Sequence, residues 1–150
     1  MKTLSTRRAP QRGFSLVEIM IVIAVAGLML AIALPRIRDT LVKRDVKSAR
    51  SALANMYARA RVNALQTRKP STIHFTSPRV WVTAPVGAGL DTVGAVVDLG
   101  TLYGVTITAS AATITVLPTG LSNMAATATI VVSRSGKSDS VMISGYGRLQ

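Results

Sequence analysis

Cysteine is absent from the 150 residues, which excludes disulfide staples and thiolate metal sites. Aromatic residues make up only 4%, so any core must be built from Val, Ile, Leu and Ala. There is one histidine, His74, in a strand-like run beside Phe75, with no acidic neighbour close in sequence. It reads as a strand residue rather than a catalyst. Asp91 and Asp98 flank a glycine and valine run whose spacing matches no metal loop. Gly87-x-Gly89 lacks the strand, helix and lysine that a phosphate-binding loop needs. No catalytic residue, no cofactor and no metal site is therefore expected. Acidic residues are also scarce, six against 18 Lys and Arg, for a formal net charge of +12.

What the chain does have is one long apolar run, Phe14 to Leu34, interrupted only by Ser15 and Glu18. It raises the mean hydropathy to +0.39. About 20 apolar residues in a helix cross the roughly 30 Å hydrocarbon core of a bilayer. A helix alone satisfies its own backbone polar groups there. The apolar residues run all round, so they bury in lipid or among other helices. A short basic leader, Met1 to Gly13, precedes the run and carries Lys2, Arg7, Arg8 and Arg12. A secretory signal peptide is the plainer alternative, with Ala31 and Ala33 as its small-x-small site, but the run is longer than the usual 7–15 residues. A plain membrane anchor leaves Glu18 unexplained, since an intramembrane carboxylate is costly and is by default a functional suspect.

Gly13-Phe14-Ser15-Leu16-Val17-Glu18, the basic leader, the apolar span and Pro35 together resemble the N-termini of type IV prepilins and type II secretion pseudopilins. The resemblance implies that a prepilin peptidase cuts between Gly13 and Phe14 and that Phe14 is N-methylated. It further implies that Glu18 serves subunit assembly by neutralising the Phe14 amine of a neighbour, each charge being cheaper in hydrocarbon as a pair than alone. Glu18 lying merely at headgroup depth is the alternative. Within the apolar helix Gly27 and Ala31 form a small-xxx-small pair that permits close helix approach. Gly27 and Pro35 are its weak points, and a bend or local unwinding is expected between them.

After Pro35 the pattern becomes amphipathic. Leu41, Val42, Val46, Ala49, Leu53, Met56, Tyr57, Ala60 and Ala64 recur at helical spacing, which predicts a helix to about Gln66. Lys69 before Pro70 closes it. Ten basic residues between Arg36 and Lys69 face only Asp39 and Asp45, so the positive charge belongs to the helix. Basic residues flank the membrane run on both sides, so charge alone does not orient it.

From Ser71 the signal is β. Strands are expected at Thr72–Phe75, Arg79–Thr83, Val93–Leu99, Val105–Thr108, Thr113–Leu117, Thr127–Ser133 and Ser140–Ser144. Pro85 to Leu90 reads as a loop and Gly100 to Gly104 as a turn. Val105–Thr108 is expected to pair with Thr113–Leu117 as a hairpin, and the last two strands to pair across Ser135-Gly136-Lys137. The fold class is α+β: a long N-terminal hydrophobic α-helix packed on an antiparallel β-sheet C-terminal domain. The expected divisions are a leader at 1–13, a membrane and filament-core helix at 14–35, its amphipathic half at 36–69, and a β-rich domain at 70–150.

Thr113 to Gly120 and the tail Gly145-Tyr146-Gly147-Arg148 are similar to the GspH/FimT group of minor pseudopilins and pilins. That resemblance implies a structural subunit, not an enzyme, near the tip of a type II secretion pseudopilus or type IV pilus. It implies a single-pass protein of the bacterial inner membrane with its C-terminal domain in the periplasm. Its partners would be other pilin or pseudopilin subunits, the prepilin peptidase, the inner-membrane assembly platform and membrane lipid. Some FimT-like pilins bind DNA, and Arg134, Lys137 and Arg148 are the candidate DNA contacts here. Such contacts would give weak, salt-sensitive binding.

Overall fold

The computed structural model describes residues 13–150. Of the expected leader only Gly13 lies among the described residues. The chain divides into two compact units, with the division between Arg38 and Asp39. Helix α1 (Leu16–Thr67) begins two residues after Phe14 and is unbroken through Gly27 and Pro35. The expected unwinding is therefore not a feature of this structure. A proline removes a single donor, and the ladder resumes on either side of it. In the first unit the helix residues from Leu16 to Ile32 are all exposed.

In the second unit α1 buries one stripe: Val46, Ala49, Leu53, Met56, Tyr57, Ala60 and Ala64. The spacing holds them on one face at 100° per residue. Leu41, expected on the same face, is 52% exposed. The same rotation carries it more than a quarter turn off the stripe. The helix ends at Thr67, and Arg68 takes a left-handed φ of 53° before Pro70.

Eight strands follow: β1 (Ser71–Thr76), β2 (Arg79–Val86), β3 (Gly89–Thr92), β4 (Val97–Asp98), β5 (Thr106–Ala109), β6 (Thr113–Val116), β7 (Ala128–Arg134) and β8 (Lys137–Ile143). They form two antiparallel sheets. One has the order β3-β2-β1-β6, with β4 also on β2; the other has the order β5-β7-β8. Inward residues alternate along β1, β2, β6, β7 and β8, whereas β3 is exposed throughout. A row Val82–Ile73–Ile114 crosses the first sheet, and Ile107–Val132 and Ile130–Val141 are partners in the second. These and the helix stripe make one core cluster.

The β5–β6 hairpin does not form. The chain crosses between sheets at residues 110–112: Ser110 N–H donates to Thr129 O at 2.9 Å, while Ala112 O accepts from Phe75 N–H at 2.8 Å. Alternation marks both strands but does not say which partner each takes. The expected loop at Pro85–Leu90 is mostly strand, with Pro85 opposite Leu90 and a tight turn at Gly87-Ala88. Of the strand expected over Val93–Leu99 only Val97–Asp98 pairs, Gly94 having a φ of 83°. The expected turn at Gly100–Gly104 is a short helix, α2 (Leu99–Tyr103), capped by Asp98. The Thr101 backbone N–H, against an opposing desolvation and aided by Arg79, holds the Asp98 carboxyl below its usual range. The β7–β8 hairpin forms as expected. Its two-residue loop, Ser135-Gly136, has positive φ at both positions, as primed turns require.

The C-terminal turn presses on the helix through glycine. A Cβ on Gly147 would lie 2.6 Å from Gly120 O and 3.2 Å from the Tyr57 hydroxyl, and Gly147 has a φ of 73°. A Cβ on Gly145 would lie 2.5 Å from Met124 O. Gly147→Ala is expected to cost at least about 2 kcal/mol in thermal or denaturant unfolding. Gly136→Ala, in open space, should cost only about 1 kcal/mol. Equal losses would mean that the tail is not packed as described. The Tyr57 hydroxyl is buried without a hydrogen-bond partner, and burial raises its pKa. Tyr57→Phe should therefore leave stability unchanged or raise it by up to about 1 kcal/mol; a clear loss would reveal a partner for that hydroxyl.

Candidate assembly interface

From Phe14 to Leu34 the first unit presents an apolar rod with one charged side chain, Glu18. Ile19 N–H bonds Ser15 O at 3.2 Å, which makes Ser15 the residue that enters the helix. Glu18 lies in the first turn, three residues on. Ser-x-x-Glu is the spacing of a capping box, and a carboxylate here meets the positive end of the helix dipole. That local signal was readable in the sequence beside the assembly role. Glu18 is exposed and has no ion pair among the described residues. Phe14 is 79% exposed and directly follows Gly13, which is exposed too. The junction between them is thus accessible, and Glu18 is one helical turn away. Among the described residues α1 is the one helix long and apolar enough to cross a membrane.

The second unit brings two of the three candidate DNA contacts, Arg134 and Lys137, together and places Arg148 apart. Ala128, Ile130 and Val132 point inward on β7, and the period of two puts Arg134 on that same face. Arg134 bonds the Asp45 carboxylate on α1, and it donates to Tyr103 O at 2.6 Å. Its register partner Lys137 reaches Asp39 at 3.9 Å, and Asp139 reaches Arg50 at 3.7 Å. The turn end of this hairpin is thus joined to the helix by three ion pairs. Arg148 sits beyond the other end of β8, where Ser144 N–H donates to Arg148 O at 3.1 Å. Seven residue steps along β8 separate Lys137 from Ser144, about 23 Å. The structure does not bring Arg148 to the other two.

The His74 and Trp81 rings stack, with centroids 5.1 Å apart and 7° between planes. His74 Nε2 lies 2.8 Å from Thr83 Oγ1. Among the described residues no three His, Cys, Asp or Glu side chains gather as a metal site.

The family described as the prokaryotic N-terminal methylation motif matches residues 8–34. The crystal structure of the type IV minor pilin FimU from Pseudomonas aeruginosa superposes with a TM-score of 0.61 at 18% identity, covering 72% of this chain and 88% of that one. The fold is that of a type IV pilin. A second crystal form of FimU gives a TM-score of 0.55 at 19% identity, covering 69% of this chain and 90% of that one. No curated protein sequence matches the chain.

Arg134→Ala should destabilise the second unit by about 1–3 kcal/mol, because Asp45 and the Tyr103 carbonyl lose their donor. Arg148→Ala should stay within about 0.5 kcal/mol of the parent. Urea unfolding of both variants checks the contrast.

Proposed function

We propose that this chain is a minor pilin or pseudopilin, a structural subunit rather than an enzyme. The observation that carries the reading is the coincidence in one chain of the methylation motif at 8–34 with a pilin-like fold. On this reading a prepilin peptidase cuts after Gly13 and Phe14 becomes the methylated N-terminus. The segment Phe14 to Leu34 holds the protein in the inner membrane, with the β-rich unit on the periplasmic side. The subunit then leaves the bilayer for a pilus or a type II secretion pseudopilus, near its tip, as the tail's likeness to the GspH/FimT group suggests. The assembly platform and other pilin subunits are its partners.

Glu18 has its role at that step. Cleavage creates a positive amine on Phe14, and a staggered neighbour brings its own Glu18 to it. Moving either charge alone through hydrocarbon costs several kcal/mol, and pairing offsets much of this. Gly27 and Pro35, continuous in this structure, are where the helix would give if packing demanded a bend. The DNA-binding alternative is left with Arg148 and the exposed Tyr146 beside it, since Arg134 and Lys137 are engaged with the helix.

Mass spectrometry of protein from its native host should find a chain beginning with methylated Phe14. Glu18→Ala should be processed to the same mass yet be reduced at least about tenfold in sheared filaments. Incorporation at the parental level would remove the pairing role, and an intact leader would remove the pilin reading.

A further inference from the structure

Four strands lie at sheet edges: β3 and β6 in the first sheet, β5 and β8 in the second. An edge strand turns alternate backbone N–H and C=O groups away from its sheet, where they can take up a strand from another chain. On each of these four strands one such N–H already has a side-chain oxygen. Ile107 N–H on β5 donates to Ser77 Oγ at 3.1 Å, and Thr115 N–H on β6 donates to Asn123 Oδ1 at 3.2 Å. Ser140 N–H on β8 donates to Asp139 Oδ1 at 2.8 Å, and Thr92 N–H on β3 donates to Asp91 Oδ1 at 2.7 Å. The adjacent ladder fixes the direction on β3. Val93 N–H donates to Val82 O at 2.8 Å, so by antiparallel alternation Leu90 and Thr92 turn away from β2.

The β3 edge differs from the other three in what lies beyond it. Ser122 and Asn123 run along β6, Leu149 and Gln150 run along β8, and Ser77 reaches β5 from the β1–β2 turn. Among the described residues nothing pairs with the outer side of β3. That strand is exposed throughout, and Leu90 is 74% exposed. We propose that the Asp91 carboxylate guards this edge: by holding Thr92 N–H it keeps β3 from adding to β3 of a second copy of the chain. Two antiparallel β3 strands related by a two-fold axis would set Leu90 and Thr92 of one copy against Thr92 and Leu90 of the other. That ladder needs the Thr92 N–H of both copies. With Asp91 holding it, each incoming carbonyl would go without a donor. The same register sets Asp91 against Asp91, and like charges directly opposite add to the cost. The guard thus lets copies crowd together without their sheets fusing.

The absence of cysteine makes the edge directly testable. Leu90→Cys in the full chain, purified in detergent with micelles in excess, is treated with a short bismaleimide, and the covalent dimer is measured. The membrane helix is the same in every variant, so differences report on β3. Adding Asp91→Thr should raise the dimer yield at least about tenfold, because Thr suits a strand and leaves Thr92 N–H open. Asp91→Asn loses the charge but keeps the acceptor oxygen, so the rise should be no more than about threefold. Asp91→Thr with Thr92→Pro should return to the parental yield, since proline has no N–H to offer an incoming strand. A hairpin merely loosened by the first substitution would keep crosslinking in that last variant. The proposal is overturned if Asp91→Thr leaves the yield unchanged, if Asp91→Asn raises it as much as Asp91→Thr, or if Thr92→Pro does not reverse the rise.

Discussion

The fold depends on burying one stripe of a helix against two sheets at once. Ala49, Ala60 and Ala64 are fully enclosed, and their small size lets strands come close to the helix backbone. Ile73, Ile114, Val132 and Val141 arrive from both sheets and share a single core with that stripe. Close packing of this kind uses β-branched and small side chains, which is why a chain with so few aromatics still has a dense interior. The same requirement explains the tail, where Gly145 and Gly147 bring backbone against backbone and no Cβ would fit.

Electrostatics completes what apolar packing begins. The helix is strongly basic, yet its acids are not placed at random. Asp39 and Asp45 border the buried stripe where the inward face of the β7–β8 hairpin changes from Val to Arg and Lys. Arg50 answers Asp139 from the other direction. These half-exposed pairs add modest energy each, but they fix which end of the hairpin meets which turn of the helix. With the acids consumed there, Lys43, Arg44, Lys47 and Arg59 have no ion pair among the described residues.

Much of this was legible in the residues. Helical spacing named every member of the buried stripe, and Ser135-Gly136 marked the last hairpin, because both signals are local. The prepilin-like segment was legible for the same reason. Strand partners were not. Thr106–Ala109 and Thr113–Val116 alternate equally well, and the three residues between them could turn a hairpin or bridge two sheets. Their partners lie far off in sequence, so nothing local distinguishes the two outcomes. Arg134 and Lys137 are a different case. Counting by two from Ile130 places Arg134 on the inward face, a signal present in the sequence but outweighed there by the attraction of a basic cluster.

The pairing of β1 with β6 has a consequence for how the molecule is made. Ser71 and Val116 are partners although 45 positions apart, and the helix stripe is not covered until Val141 and Ile143 are in place. Topologies rich in distant pairings collect their stabilising contacts late and fold slowly. The second unit therefore matures after translation has passed its last strand, and on the far side of the membrane if the chain is exported. Until then the apolar stripe of α1 lies bare, which makes the interval between export and strand closure the stage at which aggregation or proteolysis competes with assembly.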